Sequence, residues 1–510
     1  MGGELLGRID IPKATAATIL IVFLGAAVRR RYYSPLSDIP GPFFASFSVI
    51  WQLWHIIKCH TEAAMREMAT GLTRQLAGKF VRLSHKEVSI SDPAAVREVL
   101  QSQMDKANWY KVFSMPDSRY ENTMSETSYK EMNRRTRNVA AGYSLSNVIK
   151  GEPYIDKALG LFQTQLDRRV ASGSSIELDK WVNYLAFDVV GESTFSKSFG
   201  FLEAGHDIGN SISNQYKLRL YIALIGHFSW AHDYLLANPL IGHFNLQPSM
   251  HVFDTSMAAV KKRSESVETR NDMIELWQQQ YRNHPDRMDE KEILAAAVAN
   301  GSADVDIFKM GAGADTVSCI LQAFCYYLLR DTESLKLVRE EIDNASLSPI
   351  PSYEETRELP VLSACIKESY RIHTPVGFNL PRVSPSPDGV TVCGRYFAPG
   401  VILSVSPWVI HRQQSVFGSD AESYNAQRWL GDKDRAIQME KYMIAFGTGY
   451  GSCPGRSLAH MEILKTTALL IRDYEWEQVT KGQVWTFETY FTSIPYNWPV
   501  KMRRRRKFNA

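Results

Sequence analysis

Cysteine is scarce in this chain of 510 residues, and no two cysteines stand in a C-x-x-C spacing. The six are Cys59, Cys319, Cys325, Cys365, Cys393 and Cys453. This pattern argues against a zinc ribbon and against a dithiol redox centre. It fits a reducing, cytosolic environment better than a disulfide-rich secreted scaffold.

A large excess of charge is also absent, since the formal net charge is only +3. Arg29–Arg31 supply three positive charges and Arg503–Lys507 supply five, so the rest of the chain carries a net charge of −5. The basic character is confined to these two short runs. No basic face for nucleic acid is therefore predicted.

The N-terminal hydrophobic run is shorter than the roughly 17–25 residues that a membrane-spanning helix needs. It covers residues 14–28, and Arg29–Arg31 end it. Because arginines follow in place of a small-residue cleavage site, residues 1–34 are predicted to form an uncleaved signal anchor with its basic flank. The positive-inside rule then leaves the downstream chain in the cytosol. A cleaved signal peptide and a buried soluble helix are the alternatives.

The remainder reads as one large, mainly helical domain with a smaller β part, over residues 35–500, followed by a basic tail at 501–510. Alternating apolar and polar residues at 80–83 and 88–91 predict a β-hairpin. Helical periodicity dominates from about residue 144 to residue 345, and strand and turn signals return after Arg371. No internal repeat or low-complexity linker divides this region.

The most informative segment runs from Phe446 to Arg456 and surrounds Cys453 with glycines at 447, 449, 451 and 455. A dinucleotide fingerprint fails because its third glycine position is Ser452, and a phosphate loop fails because no Lys-Ser/Thr pair follows. Glycines let the backbone approach a flat or bulky group, and the helix predicted after Gly455 directs its N-terminus at the same sulfur. Both features favour a metal-ligating thiolate. The alternative is a structural glycine turn around an inert cysteine.

This segment resembles the heme-binding loop of the cytochrome P-450 monooxygenases, whose pattern is Phe-x-x-Gly-x-Arg-x-Cys-x-Gly. Phe446, Gly449, Cys453 and Gly455 match that pattern. The resemblance implies the cytochrome P-450 fold and a heme b whose iron takes Cys453 as its axial thiolate. The family's arginine, which helps to neutralise a heme propionate, is replaced here by Gly451. That contact must be lost or supplied elsewhere, and Tyr450 is one candidate.

A second motif, Ala312-Gly-Ala-Asp315-Thr316, resembles the family's central-helix motif. The resemblance implies that Thr316 hydrogen-bonds the dioxygen being activated and that Asp315 passes protons from solvent. These two are the predicted catalytic residues. Ordinary helix packing around small residues is the alternative reading of this motif by itself.

A third motif, Glu368-Ser-Tyr-Arg371, matches the family's Glu-x-x-Arg pair. Residues three apart share a helix face, but such pairs usually decorate a solvated surface. By resemblance, Arg428 completes a buried structural triad, although Ala426 stands where the family has proline. The triad holds the approach to the cysteine loop.

The resemblance also suggests partners for the heme propionates and the substrate. Arg382 lies where the family places a propionate arginine on a strand. Arg137 is the chosen member of a basic helix, with Arg134 and Arg135, that resembles the family's Trp-x-x-x-Arg helix without its tryptophan. The alternative for that helix is a basic outer face that docks an acidic electron donor. Predicted substrate contacts are Trp109, Phe113, Met310, Val376, Phe378 and Ile494.

Together the ordered motifs imply a monooxygenase that inserts oxygen from O2 into an apolar small molecule, by hydroxylation, epoxidation or multistep oxidation. Since no flavin or nicotinamide fingerprint is present, an NADPH-dependent cytochrome P-450 reductase is the expected electron donor. The overall likeness to fungal membrane-bound members implies natural-product biosynthesis at the endoplasmic reticulum membrane, with a single-pass anchor and a cytosolic catalytic domain. A heme-thiolate peroxide isomerase or dehydratase and a non-enzymatic heme sensor are the alternatives. The first of these tends to lose the acid–alcohol pair that Asp315 and Thr316 provide.

Overall fold

The computed structural model describes residues 11–76, 79–114, 118–238, 240, 258–259, 261–263, 272–301 and 312–505. The α-helices are α1 Ile11–Tyr32, α2 Ile50–Ile57, α3 Thr61–Leu76, α4 Tyr129–Tyr143, α5 Leu145–Lys150, α6 Glu152–Ser172, α7 Leu178–Phe195, α8 Phe201–Ala204, α9 Ser211–Ile225, α10 Ser229–His232, α11 Met273–Asn283, α12 Glu290–Gly301, α13 Ala312–Leu328, α14 Thr332–Asn344, α15 Tyr353–Arg357, α16 Pro360–Ile372, α17 Pro407–Ile410, α18 Gln414–Phe417, α19 Lys433–Glu440 and α20 Arg456–Asp473. Short 3₁₀ turns occur at Phe43–Ser46, Asn108–Phe113, Ile208–Asn210, Gly226–Phe228, Ala426–Trp429 and Gly449–Gly451, and Val96–Leu100 is a π-helical turn. The strands are β1 Phe80–Arg82, β2 Glu87–Ile90, β3 Leu380–Val383, β4 Val390–Val392, β5 Arg395–Phe397, β6 Ile402–Val405, β7 Tyr474–Gln478, β8 Thr486–Thr489, β9 Ser493–Tyr496 and β10 Val500–Arg504.

The core is built around α7, α13, α16 and α20, which pack on one another. Helix α13 carries the apolar pattern that the sequence predicts, since Ile320, Leu321, Phe324 and Leu328 are fully buried. Helix α7 is buried on nearly every side, so it passes through the protein interior. This packing fixes α13, with its Asp315 and Thr316, against both α7 and α20.

A four-stranded sheet of order β1-β2-β6-β3 covers one side of the helical core. Strands β1 and β2 pair antiparallel with Val81 opposite Ser89, which confirms the predicted hairpin. Strand β6 runs parallel to β2 and antiparallel to β3, where Arg382 lies opposite Leu403. The remaining strands form the pairs β4–β5, β8–β9 and β7–β10. The sheet matters for function because β3 carries Arg382 into the interior.

The N-terminal helix α1 contains the whole hydrophobic run at 14–28. Over the residues described here, no helix has both the length and the apolar character needed to cross a bilayer. The predicted transmembrane anchor is therefore not supported. The physical reason is length: 15 apolar residues between Lys13 and Arg29 rise about 22 Å as a helix, short of the roughly 30 Å of hydrocarbon.

The C-terminal boundary predicted at residue 500 falls within β10, which pairs with β7 from Val500 to Arg504. Arg503 bonds Glu475, and Arg505 forms a two-pronged ion pair with Asp343, at 2.6 and 3.0 Å. The first half of the predicted basic tail is thus a strand with acidic partners. Residues 506–510 lie outside the described part of the chain.

Candidate active site

Cys453 lies at the start of α20, where the sequence predicts a helix N-terminus directed at its sulfur. Gly455 is the N-cap residue of α20, and its N–H donates to the Cys453 sulfur. The surrounding protein raises the pKa of the Cys453 thiol by burial, while the Gly455 N–H and the nearby charge of Arg456 oppose that rise. Cys453 is nevertheless exposed.

The loop before Cys453 is held by its own backbone. The Cys453 N–H donates to the Phe446 carbonyl at 2.7 Å, and the Gly447 N–H donates to Ile444 at 2.9 Å. The Phe446 ring packs on Tyr370 with centroids 5.0 Å apart. Phe446 therefore fixes the loop at both its backbone and its side chain.

Two loop glycines are required by close approach of other groups. Gly449 has φ +61°, and a Cβ there would lie 2.9 Å from both the Leu100 oxygen and the Gln101 Cα. A Cβ on Gly451 would lie 2.8 Å from Nη2 of Arg382. The second contact shows that the Arg382 guanidinium lies directly beside position 451, where the family pattern has an arginine.

Arg382 lies on β3, is 3% exposed, and does not use all of its hydrogen-bond donors within the protein. Its Nη1 donates to the Pro381 carbonyl at 3.1 Å, and its Nε has no hydrogen-bond partner among the described residues. The guanidinium lies 5.1 Å from the centre of the Tyr450 ring. Tyr450, the replacement considered from sequence, donates its hydroxyl to the Met104 carbonyl instead.

A second buried cation, Lys106, accompanies Arg382 and is missed by sequence reasoning. The two residues are bridged through their backbones, and Lys106 is 5% exposed. Its Nζ donates to the carbonyls of Thr123 and Met124 at 2.8 and 3.2 Å. Burial and the charge of Arg382 lower the pKa of Lys106 to about 7. The only sequence signal is its place three residues before Trp109.

These residues fit an anionic heme with a thiolate-ligated iron. Cys453 offers a sulfur that receives a backbone N–H. Within the described part of the chain, no carboxylate stands within 4.0 Å of the Lys106 or Arg382 nitrogens, so two buried cations lie together without an anionic partner in this structure. Such an arrangement is costly unless an anion joins it. The propionates of a heme supply that kind of charge.

The arginines of the basic helix predicted to hold a propionate bind other protein groups in this structure. Arg137 is exposed on α4, and its Nε donates to the Asn133 carbonyl one turn earlier. Arg134 and Arg135 both bind Glu292, at 2.5 and 2.7 Å, and Arg135 also meets Glu121 and Glu126. Exposure of Arg137 does not favour it as a propionate partner, and that role stays a prediction. The alternative of a basic outer face is also weakened, because these glutamates neutralise Arg134 and Arg135.

Asp315 is held in a buried ion pair that the sequence did not reveal. Nη2 of Arg219, on α9, donates to Asp315 Oδ2 at 2.7 Å, and both side chains are at most 2% exposed. The Asn183 amide of α7 donates to Oδ1 at 3.4 Å. The Thr316 hydroxyl donates to the Gly313 carbonyl at 3.4 Å. Three helices thus converge on the predicted acid–alcohol pair.

The predicted triad forms around Glu368. Arg371 makes two parallel bonds to it, at 2.9 and 2.7 Å, and Arg428 bonds it at 3.1 Å. The Trp429 indole and the Asn425 N–H also donate to the same carboxylate. The side chains of the three charged residues are at most 3% exposed. The structure therefore brings Glu368, Arg371 and Arg428 together as the resemblance implies, despite Ala426.

Four of the predicted substrate contacts meet in one aromatic cluster, formed by Trp109, Phe113, Val376, Phe378 and Phe491. The Trp109 ring centre lies 5.2 Å from that of Phe378, 5.6 Å from Phe491 and 5.7 Å from Phe113. Leu218 and Ile222 of α9 close the cluster. The cluster therefore joins the turn after Lys106 to α9 and to the segments at 376–378 and 491.

Ile494 lies elsewhere than this cluster. It lines a separate cavity of about 400 Å³ together with Asn183, Arg219 and Gln322. Its role as a substrate contact stays a prediction, and its position is beside the Asp315 ion pair. Met310 lies outside the described residues.

Comparison with known proteins establishes the family. The profile of the family described as Cytochrome P450 matches residues 45–502. The chain is 31% identical over 495 residues to cytochrome P450 monooxygenase cicH of Emericella nidulans, covering 92% of this chain and 94% of that protein. It is 30% identical over 503 residues to cytochrome P450 monooxygenase gsfF of Penicillium aethiopicum, covering 93% and 95%. The fold matches the crystal structure of the cytochrome P450DA heme domain with a TM-score of 0.72 at 15% identity, over 92% of this chain and 97% of that one.

This chain therefore belongs to the cytochrome P450 family, which confirms the resemblance seen in its motifs. It is an oxidoreductase of the monooxygenase class with the mainly helical fold of that family. Its cofactor is heme with a thiolate-ligated iron.

Proposed function

We propose that this protein inserts one oxygen atom of O2 into an apolar small organic molecule, with Cys453 as the ligand of the heme iron. One observation carries the proposal: the Cys453 sulfur receives the Gly455 N–H at the N-terminus of α20. Backbone N–H groups and a helix N-terminus both stabilise a thiolate. Cys59 also precedes a helix, α3, but its thiol bonds the Tyr490 hydroxyl at 3.1 Å. The other four cysteines lie within helices or in the β4–β5 turn.

The bound heme supplies the activation of O2, which its thiolate ligand favours. Lys106 and Arg382 would hold the propionate carboxylates of the heme through their positive charge. Asp315 accepts protons from solvent and returns them toward Thr316, whose hydroxyl is within reach of the Gly313 carbonyl one turn earlier. Arg219 and Asn183 hold the Asp315 carboxylate in place during this transfer.

The reaction balances with an external electron donor. One atom of O2 enters a C–H bond or a double bond of the substrate, and the other leaves as water with two protons. The two electrons come from an NADPH-dependent cytochrome P450 reductase, since the chain carries no flavin or nicotinamide fingerprint of its own. Hydroxylation, epoxidation and repeated oxidation all share this balance.

The aromatic cluster favours a large apolar or aromatic substrate. Trp109, Phe113, Phe378 and Phe491 offer ring faces and edges rather than charged groups. Such a surface binds flat apolar molecules well. A role in natural-product biosynthesis is in keeping with the two fungal monooxygenases to which the chain is similar.

Association with the endoplasmic reticulum membrane, through interfacial contact, is the second part of the proposal. Exposed apolar side chains line α1 and continue onto the neighbouring segment: Leu20, Ile21, Val22, Phe23, Leu24, Phe43, Phe44, Ile50, Trp54 and Ile57. Arg30 joins the two parts by donating to the Phe47 carbonyl at 2.8 Å. Apolar residues beside a basic run suit a membrane interface with anionic lipids. Flotation with vesicles of neutral and anionic phospholipid tests this, and an I21S/F23S/F44S/W54S variant that floats as well as the parent would contradict it.

The assignment of Cys453 is tested by Cys453→Ser. We expect the heme-loaded variant to lose the thiolate-type spectrum of its reduced carbonyl complex, whereas Cys393→Ser, at a half-buried position, keeps it. NADPH-dependent O2 consumption with added reductase distinguishes a monooxygenase from an isomerase or a sensor. An unchanged carbonyl spectrum in Cys453→Ser would refute the ligand assignment.

A further inference from the structure

His411 lies between the Glu368 triad and the cysteine loop and contacts both. It follows the last residue of α17 and is fully buried. Its carbonyl accepts a hydrogen bond from Arg371 Nη1 at 2.8 Å. Its ring nitrogen Nε2 accepts the backbone N–H of Ile444 at 2.9 Å. One residue therefore binds the triad through its backbone and the loop through its side chain.

The bond to Ile444 fixes the tautomer of His411. A backbone N–H can only donate, so Nε2 must be the unprotonated nitrogen and the ring proton must sit on Nδ1. Burial, with the neighbouring charges of Arg371 and Arg412, lowers the pKa of His411 to about 3, so the ring is neutral at physiological pH. The ring is also held in orientation by the edge of Phe417, with centroids 6.4 Å apart. Nε2 of His411 is therefore always available to accept the Ile444 N–H.

Ile444 is where the cysteine loop begins. Its carbonyl accepts the Gly447 N–H, and two residues later the Phe446 carbonyl accepts the N–H of Cys453. Ile444 itself is 1% exposed, so its N–H has no access to water if His411 is removed. The path of bonds from Arg371 through His411 and Ile444 ends at the backbone of Cys453.

We infer that His411 is the positioning residue that sets the cysteine loop against the Glu368 triad, and so sets the orientation of the Cys453 sulfur. The inference rests on the proposed role of Cys453. Among the residues that the structure describes, the triad makes no hydrogen bond to the loop, and His411 supplies the connection. Arg371 of the triad fixes the carbonyl of His411, and the His411 imidazole in turn fixes the backbone N–H of Ile444.

The experiment compares four variants of the heme-loaded protein. His411→Gln keeps an acceptor atom near the position of Nε2, whereas His411→Leu removes it. His411→Asn keeps a polar group that is too short to reach Ile444. His373→Leu is the matched control, because His373 is equally buried but its Nε2 faces the Ser493 carbonyl at 2.9 Å.

Amide hydrogen exchange at Ile444 is the first readout, and it does not depend on the heme ligand. We expect exchange at Ile444 to be about tenfold faster in His411→Leu and His411→Asn, which is about 1.4 kcal/mol, since a buried amide loses its partner. His411→Gln should restore protection, and His373→Leu should leave it unchanged. Unchanged exchange at Ile444 in His411→Leu and His411→Asn would overturn the inference.

The reduced carbonyl spectrum and the rate of heme transfer to apomyoglobin form the second readout. We expect His411→Leu and His411→Asn to lose part of the thiolate-type band and to release heme about tenfold faster. His411→Gln should match the parent, and His373→Leu should lower overall stability without altering the band. If His411→Leu fails to fold, His411→Asn carries the same test. If exchange at Ile444 becomes faster but the thiolate-type band is unaltered, the claim that the loop sets the orientation of the Cys453 sulfur is refuted. An unaltered band in Cys453→Ser would instead refute the assignment of Cys453 as the ligand.

Discussion

The ion pair between Arg219 and Asp315 makes the sharpest prediction about stability. Arg219→Met removes the guanidinium but keeps an unbranched apolar stem. The carboxylate of Asp315, 1% exposed, would lose the charge at 2.7 Å and keep the Asn183 amide at 3.4 Å. Breaking a buried pair by removing one partner costs about 3–5 kcal/mol, since the remaining charge is uncompensated. We expect a loss of this size in the free energy of unfolding.

The double variant Arg219→Met/Asp315→Asn distinguishes the attraction between the two charges from the cost of burying them. With both charges removed, the site needs no counterion, and replacing a buried pair by neutral groups is often close to neutral in free energy. The double variant should therefore be more stable than Arg219→Met alone, with a coupling energy of about 3 kcal/mol or more.

Urea unfolding followed by tryptophan fluorescence measures these differences, with refolding as the check of reversibility. Lys180→Met is the control, because its salt bridge with Glu177 spans 2.8 Å between side chains that are each more than half exposed. Removing that exposed bridge should cost at most about 1 kcal/mol. An Arg219→Met variant no less stable than Lys180→Met, or a double variant no better than the single one, would refute this account of the pair.

Two further predictions concern the heme pocket. Lys106 has a folded-state pKa of about 7 against its ordinary 10.5, so the unfolded chain binds more protons between these values and heme-free protein should gain stability as pH rises from 7 to 10.5. Urea unfolding across that range should show this slope, and both Lys106→Met and heme binding should flatten it; a slope that survives in Lys106→Met would exclude Lys106 as its source. Gly449→Ala should cost stability and heme content beyond Gly394→Ala, because both have positive φ but only Gly449 has atoms within 3 Å of the added Cβ. Equal losses in denaturation and in heme titration would show that this close approach is unimportant.

The features predicted correctly from sequence are those encoded by short local patterns. The β1–β2 hairpin follows from alternation, and α20 follows from the apolar spacing after Gly455. The triad is recovered even at Arg428, where a proline is missing, because the Glu-x-x-Arg pair and the aromatic flanks of Arg428 are local signals. The structure adds the bond lengths and the burial that make these residues a single network.

The residues missed by sequence reasoning are isolated polar groups whose partners lie far away in the chain. Arg219 and Asn183 meet Asp315 from helices that are 96 and 132 residues distant. Lys106 and His411 are single residues whose partners come from distant parts of the chain, so no periodicity marks them. The choice among Arg134, Arg135 and Arg137 could not be made from sequence either, since a cluster of arginines on a helix does not say which of them faces inward.

Position 451 shows how a departure from a family motif is resolved in three dimensions. A Cβ at 451 would lie 2.8 Å from Nη2 of Arg382, so a side chain there requires the end of the Arg382 side chain to shift. The cation beside the cysteine loop therefore comes from β3 rather than from the loop. Because β3 is paired along its length with β6, it holds Arg382 on a rigid strand, and the loop is left free of a second like charge beside Lys106. Restoring the family arginine at 451 would thus shift the Arg382 guanidinium and place a second cation beside it, and the small residue at 451 leaves Arg382 its present inward position.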